Sequence, residues 1–100
     1  MTYTQIIDLT DVKDEDALHQ LMVDWDRDQA GVAPGYQGCR VLADKETPGR
    51  YLVEVDFSSE EEAKRNNDRP ETNEWATKVR AMAGGDPRYL NLRPVCSTYA

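Results

Sequence analysis

The apolar positions of this chain change period several times. From Tyr3 to Thr10 they alternate, with Tyr3, Gln5, Ile7 and Leu9 on one side and Thr4, Ile6, Asp8 and Thr10 on the other, as in a strand with both faces partly covered. From Asp14 the period becomes helical. Ala17, Leu18, Leu21, Met22 and Trp25 form one stripe, and Asp24, Asp26, Arg27 and Asp28 fall mostly off it. This predicts a helix over 14–29, capped at its start by Asp11 and Asp14 and ended by the permissive backbone of Gly31.

The segments 36–44 and 50–57 alternate again on either side of Lys45-Glu46-Thr47-Pro48-Gly49, which predicts a hairpin. Setting Asp44 opposite Arg50 brings Leu42 to Leu52, Val41 to Val53, Arg40 to Glu54 and Cys39 to Val55. Charges meet charges and aliphatics meet aliphatics in one register, and a slip by one residue would exchange the faces of the whole set. Ser58-Ser59-Glu60-Glu61 has the form of a capping box, with Ser58 accepting from the N–H of Glu61. Pro70 cannot donate an interior helical bond, so two helical pieces are predicted, 59–67 and 70–83, before Gly84-Gly85-Asp86-Pro87 ends the second. Residues 88–95 alternate once more, and Pro94 fits only an edge strand.

The resulting β-α-β-β-α-β order, with right-handed crossovers, predicts an α+β, ferredoxin-like antiparallel sheet with two helices on one face. Ile7, Leu9, Val41, Val53, Val55 and Phe57 would face Leu18, Leu21, Met22 and Trp25 of the first helix and Trp75, Ala76, Val79 and Met82 of the second. The other face would carry Ile6, Asp8, Arg40, Leu42, Leu52, Glu54 and Asp56. Such a mixture of aliphatics and opposite charges suits an isologous contact with a second copy, giving a homodimer. The alternative is a hydrated face on which the Leu42/Leu52 pair is a tolerated exposed patch.

One hundred residues are the size of a single domain spanning 1–100. Twelve basic and nineteen acidic residues leave a net charge of −7, which repels nucleic acid and anionic membrane surfaces. The apolar runs are far shorter than the ~20 residues that cross a bilayer. The opening Met1-Thr2-Tyr3-Thr4 lacks the basic start and apolar middle of a signal peptide, so a cytoplasmic address is expected. Cys39 and Cys96 are too few for a disulfide scaffold and read as two buried thiols. A single histidine, His19, removes most zinc and haem sites that need several imidazoles, so no metal site is expected.

Three stretches carry a family likeness: Pro34-Gly-Tyr-Gln-Gly-Cys-Arg-Val-Leu-Ala-Asp, Pro48-Gly-Arg-Tyr-Leu-Val-Glu-Val-Asp-Phe-Ser-Ser-Glu-Glu-Glu-Ala, and Pro70-Glu-Thr-Asn-Glu-Trp-Ala. Together they resemble the antibiotic biosynthesis monooxygenase type of dimeric α/β barrel. The resemblance implies a pocket between helices and sheet in each subunit, in which some members oxidise polycyclic aromatics without metal or flavin. By that resemblance the expected function is a cofactor-independent monooxygenase, or a related cyclase or isomerase, acting on an aromatic or polyketide-like molecule with no cofactor. A non-catalytic binding or stress-related dimer on the same barrel is the alternative.

Catalysis of that kind needs an enclosed apolar slot and polar groups that orient a phenol and stabilise its anion. The candidates are Trp75, Asn67, Tyr51 and Arg80 as catalytic residues, and Trp25, His19 and Asn66 as substrate contacts. Each has a plainer role open to it. Trp25 and Trp75 sit at core spacing, Asn66 and Asn67 at a helix break where asparagine caps backbone groups, and His19 and Arg80 beside apolar stripes. The haem-degrading branch resembles this chain in its second-helix tryptophan, but no histidine follows Trp75 and no asparagine lies in Met1–Thr10.

Overall fold

The hairpin forms in the register that its side chains dictate. In a computed structural model that describes residues 2–99, Arg40 pairs with Glu54, Val41 with Val53, Leu42 with Leu52 and Cys39 with Val55. A bulge between Tyr36 and Gly38 shifts the first pair, so that Tyr36 meets Phe57. The elements are β1 (Tyr3–Leu9), α1 (Glu15–Gln29), β2 (Tyr36–Ala43), β3 (Tyr51–Phe57), α2 (Glu60–Asn67), α3 (Pro70–Ala81) and β4 (Arg88–Leu92). All strand pairs are antiparallel and the sheet order is β2-β3-β1-β4. This is the expected ferredoxin-like arrangement, with the second helix broken in two at Pro70. The last strand lies at an edge and stops at Leu92, short of Pro94.

One face of the sheet is covered. Ile7, Leu9, Val53, Val55 and Phe57 pack against Leu18, Met22 and Trp25 of α1, Ala63 of α2, and Trp75 and Val79 of α3. Leu21, Val41, Ala76 and Met82 are half-buried around them. The covered core is therefore the expected one, with Val12, Ala33 and Ala63 added to its buried residues.

On the opposite face the strand registers line up Leu42, Leu52, Asp8 and Arg88 in one row and Arg40, Glu54, Ile6 and Leu90 in the next. Leu42 and Leu92 remain exposed there. Asp8 is the exception, at 7 % exposure. Arg50 lies over it, donating from Nε to Oδ1 at 3.1 Å and from Nη2 to Oδ2 at 2.9 Å, while its Nη1 donates to Asp44 at 2.8 Å. A two-pronged guanidinium contact satisfies both carboxylate oxygens and makes the buried charge tolerable.

Three local expectations are corrected. The N-cap of α2 is Ser59, whose hydroxyl accepts from Glu62 N–H, so the cap sits one residue later than Ser58. Ser58 instead donates its N–H to Gly35 O at 2.8 Å, tying the loop before β2 to the end of β3. Gly35 is at φ 66, and a Cβ there would run into Ser58 Oγ and Glu62, so this close approach requires glycine. Asp14 caps α1 through Ala17 N–H, but Asp11 does not; it turns the chain at φ 54 and accepts from Lys13. Cys39 is half-buried as a free thiol, whereas Cys96 is exposed.

Replacing Ser59 with alanine should cost about 0.5–2 kcal/mol in chemical unfolding, the usual loss of a serine cap, and Ser58→Ala less than half of that. Arg50 holds the Asp8 carboxyl below its ordinary value of 3.8, chiefly by its hydrogen bonds and against the cost of burial. The folded form thus keeps this carboxylate where the unfolded chain has begun to take up a proton. The stabilisation is complete above the unfolded value and drains away as the pH falls below it. Asp8→Asn should lower the melting temperature by about 4–8 °C at pH 7, and the gap to wild type should narrow below pH 4.

Candidate active site

The helix stripes that build the core each contain one polar residue. Along α1 the buried positions are Leu18, Met22, Trp25 and Gln29; along α2, Ala63 and Asn66; along α3, Thr72, Trp75 and Val79. An uncompensated buried amide or hydroxyl costs about 1–3 kcal/mol, so these three must find partners. They find them at the α2–α3 break. Pro70 occupies the first turn of α3, and Arg69 before it is extended, at φ −83 and ψ 139. Arg69 donates from Nη1 to Asn66 Oδ1 at 3.1 Å and from Nη2 to Gln29 Oε1 at 2.8 Å and Glu71 at 2.7 Å. Thr72 Oγ1 donates to the same Asn66 Oδ1 at 3.0 Å.

Beside this network Trp25 and Trp75 stack, with ring centroids 4.7 Å apart and planes inclined by 29°. Tyr36 meets Trp25 edge-on at 6.5 Å and Phe57 at 6.4 Å, continuing the aromatic layer towards the sheet. The indole N–H groups of Trp25 and Trp75 are buried and have no acceptor among the described residues. Both rings line a pocket of about 330 Å³ between α2, α3 and the β1–β4 side of the sheet. Phe57, Val55 and Ile7 also line it, with Asn66, Asn67, Thr72, Asn73 and Arg80 on the helix side and Gln5, Tyr89 and Asn91 on the strand side. Among the described residues no Asp, Glu, His or Cys lines it, in a chain with nineteen acidic residues.

Five of the seven candidate residues therefore meet here: Trp75, Asn67, Asn66, Arg80 and Trp25. Arg80 donates to Thr77 Oγ1 at 3.1 Å, which leaves most of its guanidinium unused. Tyr51 and His19 lie elsewhere. They line a larger cleft of about 620 Å³ between α1 and the β2 edge, with Glu15, Met22, Asp26, Cys39 and Val41. Tyr51 donates to Glu15 at 2.9 Å, and that carboxylate raises the phenol above its ordinary value, so Tyr51 is a protonated donor committed to Glu15. Asp26, at the same cleft, accepts from Tyr36 at 2.6 Å, and burial, with that bond, pushes the Tyr36 phenol far above the usual range. Burial likewise raises the Cys39 thiol, the opposite of what a reactive cysteine needs.

Sequence reading missed Gln5, Gln29, Arg69, Thr72, Asn73, Tyr89 and Asn91. Thr72 was recoverable from the helix that starts at Pro70, because it lies three residues before Trp75 and seven before Val79. Tyr89 and Asn91 needed the β1–β4 register, which sets them opposite Ile7 and Gln5 on the helix side. Among the described residues no group of three or more His, Cys, Asp or Glu side chains could hold a metal ion. No helix there is long and apolar enough to cross a membrane.

No family profile matches the sequence, and no curated protein matches it significantly. Solved structures do match its fold over nearly the whole chain. SnoaB from Streptomyces nogalater, a cofactor-independent oxygenase, superposes with a TM-score of 0.78 at 13 % identity, covering 97 % of this chain and 96 % of its own. A protein of the antibiotic biosynthesis monooxygenase type from Bordetella bronchiseptica gives 0.74 at 19 %, over 95 % and 98 %. Rv0793 from Mycobacterium tuberculosis gives 0.74 at 12 %, over 99 % and 100 %. At such identities the likeness is one of fold, and the chain has the ferredoxin-like fold of the antibiotic biosynthesis monooxygenases.

Proposed function

We propose that the protein is a cofactor-independent monooxygenase that oxidises a flat phenolic or polyketide-like aromatic in the pocket beside Trp75. The observation that carries this reading is the one-sided chemistry of the pocket. The aromatic walls of Trp25 and Trp75 are combined with the cation of Arg80 and with the amide of Asn66, whose Nδ2 has no protein acceptor among the described residues. Donors held in fixed positions beside an aromatic wall favour the anion of a phenol over its neutral form. An electron-rich phenolate is the species that can pass electrons to dioxygen. The fold shared with SnoaB, itself a cofactor-independent oxygenase, supports the same reading.

The chemistry balances without another reactant for an anthrone. Ionisation removes one proton, dioxygen takes electrons from the carbanion and adds at the ring CH₂ carbon, and the peroxide formed loses water to leave a carbonyl. One dioxygen is consumed, one oxygen atom enters the product and the other leaves as water. Among the described residues no carboxylate or imidazole lines the pocket to serve as base. Its substrates are therefore phenols or enols acidic enough to ionise to solvent once the donors have lowered their pKa.

The uncovered sheet face, with its Leu42/Leu52 pair and its Arg40–Glu54 ion pair at 3.2 Å, closes against a second copy in this reading. Sedimentation at micromolar concentration should give a dimer, and Leu42→Glu with Leu52→Glu should give a monomer; a monomeric wild type would contradict the pairing. With anthrone in an oxygen electrode, wild type should consume one dioxygen per molecule. Asn66→Ala should lower kcat by about 10²–10³-fold, the usual cost of an anion-stabilising donor. Failure of wild type to consume oxygen over a panel of anthrones, with no ligand-induced rise in melting temperature, would overturn the proposal. Binding with a clear melting shift but no oxygen uptake would point instead to a non-catalytic binding protein.

A further inference from the structure

We infer that Thr72 and Arg69 are positioning residues that lock the Asn66 side chain as a hydrogen-bond donor towards the pocket, which makes the site selective for oxygen anions; this rests on the function proposed above. An asparagine amide is ambivalent, since one end accepts and the other donates, and rotation by a half-turn exchanges them. At position 66 that ambivalence is removed. A guanidinium has donors and no acceptor, so only the carbonyl end of the amide can face Arg69 Nη1 at 3.1 Å. Thr72 Oγ1 donates to the same oxygen at 3.0 Å, filling its second lone pair.

Both acceptor positions of Oδ1 are then used inside the protein. Nδ2, with two N–H groups, has no protein acceptor among the described residues, on a side chain that is 3 % exposed and lines the pocket. A flipped amide would turn these two N–H groups on the Arg69 cation.

The clamp itself is held from a third element. Arg69 Nη2 donates to Gln29 Oε1 at 2.8 Å, at the end of α1, and Gln29 is 9 % exposed. The guanidinium thus spans the break between two helices and the terminus of a third, and its fork geometry is what lets one side chain reach both amides. Lysine offers no such fork. Had the clamp served only to bury polar groups, either orientation of an amide with suitable partners would do. The choice of a donor-only partner at Arg69 selects one of them.

The test has one arm without ligand and one with it. In nitrogen-15 spectra of the free protein, Asn66 Nδ2 should give one sharp pair of proton signals in wild type and in Thr72→Ser. The pair should broaden or double in Thr72→Val and in Arg69→Met, which removes the donor-only partner, with the fold checked by circular dichroism. Unchanged Asn66 signals in both would overturn the clamp, whatever the ligand does. The second arm uses alizarin, whose phenol and phenolate differ in visible absorbance. Bound to wild type and Thr72→Ser it should ionise at lower pH than free alizarin. Thr72→Val should bind the phenolate about tenfold more weakly and lose most of that displacement. Equal displacement in Thr72→Val and wild type would overturn the positioning role. Wild type that neither binds alizarin nor lowers its ionisation would overturn the anion-site reading beneath it, and the free-protein spectra would show that failure to be separate from the clamp.

Discussion

A proline has no N–H to give to a helix and its ring collides with the preceding turn, so the chain that returns across the sheet after β3 cannot do so as one helix. Pro70 divides it into α2 and α3, and the pocket depends on that division. The break lets Asn66, at the end of α2, and Thr72, at the start of α3, be buried side by side around Arg69. It also fixes the register of α3, placing Trp75 against Trp25 and Arg80 at the pocket wall. Three helix stripes would otherwise carry an unpaired polar group into the core, and the single guanidinium between them resolves two of those groups directly and the third through Asn66.

Two layers of polar order therefore exist in a molecule of modest size, one on each face of the sheet. On the helix side, the Arg69 cluster leaves donors free at the pocket. On the open side, Arg50 consumes both oxygens of Asp8 and reaches Asp44, so that charge is fully used within the chain. The contrast separates a structural ion pair from a candidate site: on the open face the buried charge has all its bonds made within the chain, whereas at the pocket a buried amide keeps bonds to give.

What could be read from the sequence followed from periodicity. The strand period of two, the helical stripes and the agreement of Arg40/Glu54 with Leu42/Leu52 determined the hairpin register and the core, because burial and pairing act on every residue of an element at once. Single-residue decisions were less legible. Ser58 and Ser59 are both competent caps, and the choice between them rests on Gly35 O, which takes the N–H of Ser58 from across the fold. Tyr51 and Trp75 both belong to the helix-covered side, yet α1 runs between their cavities, and nothing local to either residue encodes that separation. Asn66 resembled a simple capping residue because its two partners come from the next helix and from the break itself.

The central claim is that the pocket beside Trp75 receives an aromatic oxygen anion on donors that the fold holds in place. A crystal structure of the protein with bound alizarin tests it most directly. The account predicts the rings against Trp75 and a phenolate oxygen within about 3 Å of Asn66 Nδ2. Alizarin seated in the α1–β2 cleft beside Tyr51 and His19, or in the Trp75 pocket with its oxygens turned away from Asn66, would contradict it.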